Sequence, residues 1–197
     1  MTAPAPALEL VLASGSPRRR HLLAGAGIHP RVRPADIDET PLPNEGPATY
    51  VERLARAKAL ELVNPGEVVL AADTTVTIDG EILAKPDDLD HARVMLTQLS
   101  GRTHHTMTGV AIHRADEGRT ESTVIETAVR FVDLSAADLD WYLSSSECLD
   151  KAGAYAIQGS AAVLVESVTG SVSNVVGLPL AETLALARRV GLDLRQL

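Results

Sequence analysis

The stretch Leu70-Ala71-Ala72-Asp73-Thr74-Thr75-Val76, taken with Lys85-Pro86 downstream, decides how this chain folds. Val68 to Ala72 is a continuous apolar run of strand type. A run without polar alternation suits a strand covered on both faces. It ends in a carboxylate, and an unpaired buried carboxylate costs several kcal/mol or more. Asp73 is therefore expected where the strand leaves the core and meets a cation. Taken alone, the stretch fits equally an Asp capping a turn at a strand end. The residues that follow favour a site. Asp79-Gly80, between Ile78 and Ile82, is a type I′ turn signal, and the hairpin it predicts returns Lys85 toward Asp73.

On the N-terminal side, residues 1–7 read as a flexible Ala/Pro tail and 8–197 as one domain. Leu8 to Ala13 is the first strand. Ser14-Gly15-Ser16-Pro17-Arg18-Arg19-Arg20 follows, with Ser16 suited to an N-cap and Pro17 to the first helical position. A strand, a small-residue turn and a helix start form an anion site from backbone N–H groups. Arg18 and Arg19 lie in the first helical turn, where the macrodipole disfavours cations. Their placement points to an anionic ligand, at least for Arg18. Solvated surface charge is the plainer account of Arg19 and Arg20. After a short strand from Pro30 to Arg33, Asp36, Asp38 and Glu39 crowd a loop that is either a metal or water site or simply solvated.

Ala48 to Val63 is the clearest helix, with Val51, Leu54, Ala55 and Leu62 on one stripe. Lys58 falls in the middle of that stripe. A snorkelling stem would explain it, but flanking by apolar residues on both sides points Lys58 into a polar cleft. Beyond the hairpin, Asp88 to Leu99 is a helix with Ala92, Met95, Leu96 and Leu99 inward. Thr103 to His113 and Glu121 to Val132 form an antiparallel pair turned at Asp116-Glu117-Gly118. His104, His105 and His113 match no standard zinc spacing. Ser135 to Ser144 is a capped helix, 149–159 a small-residue segment, and Ala162 to Val168 a strand. Residues 170–179 are a loop before the last helix, Leu180 to Val190, which Gly191 closes.

Composition sets the outer bounds. Hydrophobic content of 45% with 3% aromatic predicts an aliphatic core, and a net charge of −8 argues against a general nucleic-acid coat. It leaves room for a small basic pocket. Cys148 stands alone, which fits a reducing compartment. No signal peptide is read at Met1 to Ala7, and no run approaches the ~20 apolar residues of a membrane span. A cytoplasmic protein is expected, with no membrane or nucleic-acid partner. Of eighteen cations only Lys58, Lys85 and Lys151 are lysines. Where arginine supplies the general positive charge, such few lysines mark places needing a compact ammonium.

Ser14, Arg18, Arg19, Glu39, Lys58, Asp73, Lys85 and Gln158 are the candidate site residues. Several cations near one or two carboxylates, beside a helix start, describe a polyphosphate site. Cations neutralise phosphate oxygens, carboxylates hold an oxygen-liking divalent cation or orient water, and an amide reads a base edge. No P-loop and no nucleophile elbow is present.

Six ordered blocks carry a resemblance. They are Leu12 to Arg19, Leu54 to Ala59, Ala72-Asp73-Thr74 with Lys85-Pro86, Leu99 to His104, Asp150 to Tyr155 with Ile157-Gln158-Gly159, and Asn174 to Pro179. In that order they resemble the Maf family of nucleoside triphosphate pyrophosphatases, over roughly residues 8–190. The resemblance implies an α/β, inosine-triphosphatase-like fold, with a mixed central sheet flanked by helices and two lobes around a cleft. It implies hydrolysis between the α- and β-phosphates with a divalent metal, Mg²⁺ or Mn²⁺, and suggests a homodimer. Carried over by position, Asp73 is the proton acceptor, assisted by Lys85 and by Glu39, and Asp73 and Glu39 hold metal. Ser14, Arg18, Arg19, Lys58 and Lys85 hold phosphates. Arg18, Thr74 and Gln158 resemble the branch that acts on dTTP and UTP rather than the one directed at 7-methyl-GTP. Ala57, where an acid is frequent, and Cys148, where a proline is usual, are small departures. The implied role is removal of surplus or non-standard pyrimidine triphosphates before they enter nucleic acid. A non-catalytic nucleotide sensor restraining cell division is the alternative, and Asp73 discriminates, since a sensor has no use for a water-activating carboxylate.

Overall fold

A computed structural model describes residues 8–61 and 63–197. The predicted tail 1–7 and Leu62 of the helical stripe lie outside the described residues. In chain order the elements are β1 (Glu9–Leu12), α1 (Pro17–Gly25), β2 (Arg31–Val32), α2 (Pro47–Glu61), β3 (Glu67–Ile78), β4 (Glu81–Leu83), α3 (Leu89–Leu99), β5 (Thr103–Arg114), β6 (Arg119–Phe131), α4 (Ala136–Leu143), β7 (Val165–Thr169), α5 (Val172–Val176) and α6 (Leu180–Arg189). Short 3₁₀ turns cover Ala152–Ala154, Ser160–Leu164 and Leu194–Gln196. The strands form one mixed sheet in the order β2-β1-β3-β5-β6-β7, with β4 hairpinned onto β3. β1 runs parallel to β2 and β3, and the remaining pairs are antiparallel. This is the mixed α/β sheet flanked by helices that the family resemblance implies, with the apolar run at 68–72 in a strand covered on both faces.

Both faces of β3 are covered, which is why its sequence does not alternate. On one face Val69 and Ala71 pack with Val11, Ala13 and Ala111 against Ala55 and Ala59 of α2. On the other Val68, Leu70 and Ala72 pack with Val110 and Ile112 against α1 and α6 through Leu23, Leu186 and Ala187. A third cluster, around Val76, Leu83, Leu96, Phe131 and Tyr142, lies beyond Asp73 along β3. Where α2 meets Val69 and Ala71 it presents alanines, Ala55 and Ala59, so helix and sheet approach closely. At Gly109 of β5 they touch backbone to backbone: a Cβ there would come 2.2 Å from the Val51 carbonyl oxygen. Gly109 is the register partner of Asp73.

Three expectations need correction. β3 does not end at Asp73 but runs on to Ile78. Its backbone stays paired with β5 from Val68 to Thr77, and Thr74, Thr75 and Thr77 are β-branched residues that suit a strand. The Asp73 charge is met sideways by a helix, so the strand has no need to leave the core. Residues 160–164 wind as a 3₁₀ turn, and the strand begins only at Val165, where pairing with β6 starts beside an irregularity at Arg130/Phe131. Residues 170–179 are not all loop. Ser171 accepts from the Asn174 N–H to cap α5, and Gly177, at φ 125°, closes it. The Asp79-Gly80 hairpin forms as expected, both residues having positive φ.

β1 pairs with β3 only as far as Leu12–Leu70, and β4 joins the same edge only at Val76. Between those points residues 71–75 of β3 have no strand neighbour on that side among the described residues. Side chains of both faces reach this gap, and the site lies there.

Candidate active site

The gap opens on a cavity of about 640 Å³, within the usual range for small-ligand sites. One wall is the β1–α1 junction. Ser16 caps α1, its Oγ accepting from the Arg19 N–H, and Pro17 starts the helix. The turn thereby aims Ser14, Arg18 and Arg19 at the cavity. Arg19 is not a solvated surface charge. Its Nη1 donates to Ser14 Oγ at 2.9 Å, its Nε to the Gly177 carbonyl at 2.8 Å and its Nη2 to Thr74 Oγ1 at 3.0 Å. Burial pulls its pKa below the ordinary value and Asp73 partly restores it. An arginine stays charged regardless. Arg18 makes no hydrogen bond or ion pair among the described residues, and Arg20 is exposed.

The opposite wall belongs to α2. Lys58 is 7% exposed, and its ammonium lies 2.7 Å from Asp73 Oδ1 and 2.6 Å from Glu39 Oε1. The lysine within the apolar stripe thus points into the polar cleft, as its spacing predicts. Asp73 is 8% exposed, and its other oxygen has no partner among the described residues. Of the acidic loop only Glu39 reaches the cavity. Asp38 turns back to accept from the Thr40 N–H.

Tyr50, not foreseen as a site residue, also lines the cavity. Its hydroxyl donates to the Glu39 carbonyl at 3.0 Å, and Arg53 braces the same loop through Thr40 and Glu45. Burial pushes the Tyr50 pKa up to about 12, with Asp73 and Glu39 adding to it, so it remains a donor. A signal was present: Tyr50, Leu54 and Lys58 follow one another at i, i+4 spacing on one row of α2.

The third wall is the β4 arm and segment 150–158. Lys85 lines the cavity and is free of ion pairs among the described residues. Gln158, exposed, lines the cavity, as do the apolar residues Ile82, Ala84, Ala152 and Ile157. Five cations (Arg18, Arg19, Lys58, Lys85, Lys151) face three carboxylates (Glu39, Asp73, Asp150). In a chain of net charge −8, this excess of positive charge makes the cavity a place for a polyanion.

All the sequence-predicted site residues therefore meet in one cavity. Thr74 is placed differently from the rest. Its hydroxyl is engaged by Arg19 and by Thr108 Oγ1 at 2.9 Å, so within the cavity it braces the Arg19 guanidinium. The histidines do not converge. His104 is buried against Tyr155, its Nε2 2.7 Å from the hydroxyl, and burial lowers its pKa to about 4. His113 bonds Thr120.

Among the described residues no group of three or more His, Cys, Asp and Glu could hold a metal by itself. Asp73 and Glu39, brought to the same ammonium, nevertheless fit a hard divalent cation. Mg²⁺ is commonly held by one or two carboxylates, with substrate phosphates and water completing its shell.

A mixed α/β sheet whose cavity sets five cations against three carboxylates has the architecture and charge to hold a phosphorylated small molecule. The chain matches the model of the family described as Maf-like protein over residues 9–190. A dTTP/UTP pyrophosphatase of Anaeromyxobacter dehalogenans is 55% identical over 188 residues, covering 94% of this chain and 96% of that protein. One from Myxococcus xanthus is 56% identical, covering 94% of each chain, and one from Sphingopyxis alaskensis is 53% identical, covering 94% and 98%. This chain belongs to the Maf family.

Proposed function

We propose that this chain hydrolyses dTTP and UTP to the monophosphate and pyrophosphate, keeping surplus or modified pyrimidine triphosphates out of nucleic acid. The observation that carries it is the Lys58 ammonium held between Asp73 and Glu39 in a cavity otherwise rich in cations. The Anaeromyxobacter and Myxococcus relatives are dTTP/UTP pyrophosphatases.

In this scheme Asp73 takes the proton from the attacking water through its unpartnered oxygen. A bond forms from the water oxygen to the α-phosphorus as the bond to the bridging oxygen breaks, and pyrophosphate leaves. Lys58, Lys85, Arg18 and Arg19 neutralise the charge developing on the phosphate oxygens. Ser14 and Thr74 hold the Arg19 fork in place. Asp73 and Glu39 are the residues that would hold Mg²⁺ or Mn²⁺, which supplies Lewis-acid neutralisation of phosphate charge. Gln158 reads the base, since its amide offers one donor and one acceptor to the adjacent N3–H and carbonyl of uracil or thymine. A cytoplasmic setting and a homodimer belong to the same proposal, as inferences from the family.

The test is pyrophosphate release from dTTP, UTP, CTP, ATP, GTP, ITP and 7-methyl-GTP with Mg²⁺ or Mn²⁺. Turnover led by dTTP and UTP is expected. Silence across the panel with nucleotide still bound would favour the sensor of cell division instead. Gln158→Glu is expected to change the order of preference among bases with little change in thermal stability. It exchanges a donor for a second acceptor at an exposed position. An unaltered substrate profile would remove Gln158 from the base pocket.

A further inference from the structure

The chain has only three lysines, and all three line the cavity. Lys58 and Lys85 have roles in the proposed hydrolysis of pyrimidine triphosphates. Lys151 has none. It sits at the start of the Ala152–Ala154 turn, in the segment that carries Gln158. That segment is firmly docked. Gly153 adopts φ 67°, and a Cβ on it would meet Val76 Cγ1 at 2.8 Å. Its N–H donates to the Ala84 carbonyl at 3.2 Å, next to Lys85. The Lys151 side chain therefore projects from a fixed base.

Its ion pair is lopsided. The Lys151 side chain is 15% exposed, whereas that of its partner Asp150 is 72% exposed. A pair with an exposed, neighbouring carboxylate contributes little, so an ammonium drawn inward is easily given up to a better acceptor. Asp150 and Lys151 line the same cavity as Arg18 and Lys85, and the Gly153–Ala84 hydrogen bond fixes their turn against the chain next to Lys85, a cation assigned to phosphate in the proposed hydrolysis. Lys151 has no ion pair with Asp73 or Glu39, the carboxylates that mark the reacting phosphorus. An ammonium, with three donors and no acceptor, suits the oxygens of a terminal phosphate.

We propose that Lys151 is a further substrate-binding residue, whose ammonium passes from Asp150 to the β- and γ-phosphate oxygens that leave as pyrophosphate. This assignment rests on the proposed triphosphate hydrolysis. The free enzyme holds the ammonium ready; Asp150, left in water, loses little.

The experiment compares Lys151→Gln and Asp150→Asn with wild type in UTP hydrolysis, in inhibition by pyrophosphate and by UMP, and in thermal melting. Lys151→Gln is expected to raise KM about 10–100-fold, the range for losing a charge-assisted hydrogen bond, with kcat within about threefold. Pyrophosphate inhibition should weaken by a similar factor while UMP inhibition and melting stay as in wild type. Asp150→Asn, which frees the ammonium, should leave KM unchanged or lower it. An unchanged KM in Lys151→Gln overturns the assignment. So does weakening of UMP rather than pyrophosphate, and so do equal losses in both variants with lowered melting, the mark of a structural pair. If wild type hydrolyses no nucleotide, the functional reading has failed. Direct titration of wild type and Lys151→Gln with pyrophosphate then still decides the role of Lys151.

Discussion

Replacing Asp73 with Asn is expected to lower turnover about 10²–10⁴-fold, the usual range for a lost general base, while nucleotide continues to bind. The amide has nearly the size of the carboxylate, so the paired backbone at Asp73 and Gly109 is not disturbed. Its oxygen can still accept from Lys58, and Glu39 keeps its own contact with that ammonium. What is lost is a group that can take a proton, one of the two carboxylates proposed to hold the metal, and one negative charge beside the phosphates. Affinity for a non-hydrolysable triphosphate measured without divalent metal should therefore hold or rise. Single-turnover pyrophosphate release and calorimetric titration separate the two effects. Collapse of binding in step with turnover would show that Asp73 holds the site together instead of working on water.

The largest effect on stability is expected at Gly109, far from any sequence motif. Gly109→Val should destabilise the fold by about 3 kcal/mol or more, at or beyond the upper end of ordinary overpacking. A Cβ there meets the Val51 carbonyl oxygen at 2.2 Å, its carbon at 2.4 Å and the Glu52 nitrogen at 2.8 Å. These are backbone atoms and cannot rotate aside, so α2 has to shift as a body. In a domain of this size that loss corresponds to a fall in Tm of roughly 6–12 °C. Val51 and Lys58 lie on the same stripe two turns apart, so the shift also draws the ammonium from Asp73. The fraction that remains folded should have reduced kcat. A wild-type melting curve for Gly109→Val would mean that α2 does not rest on β5 at this point.

Much of the site was legible because its residues break local patterns. Lys58 interrupts an apolar helical stripe, Arg18 and Arg19 stand against a helix dipole, and Asp73 follows an apolar run. Each is visible within a window of a few residues. What the windows could not show is lateral. β3 continues through Asp73 because β5 pairs along it, and the two strands are joined through a long connection. Arg19 is fixed by Gly177 and Thr74, residues 158 and 55 positions away, and no spacing reveals such partners. α5 escaped for a different reason. Its Ser171 cap and Gly177 stop are both present, but five residues are too few for a period to appear. The 3₁₀ turn at Ser160–Leu164 reads as strand in the sequence because an apolar run fits either state until its pairing is known.

The confinement of lysine to the cavity also bears on chemical labelling. An amine-directed acylating reagent finds no lysine elsewhere on this chain, since arginine supplies all the other side-chain cations apart from histidine. Among the lysines, modification should proceed first at exposed Lys85, then at partly buried Lys151, and last at Lys58. Each lysine acylation removes a positive charge from the cavity, so loss of activity should follow the first lysine adducts rather than accumulate slowly. A bound triphosphate would shield the same amines, and the pattern of protected adducts would serve as its footprint.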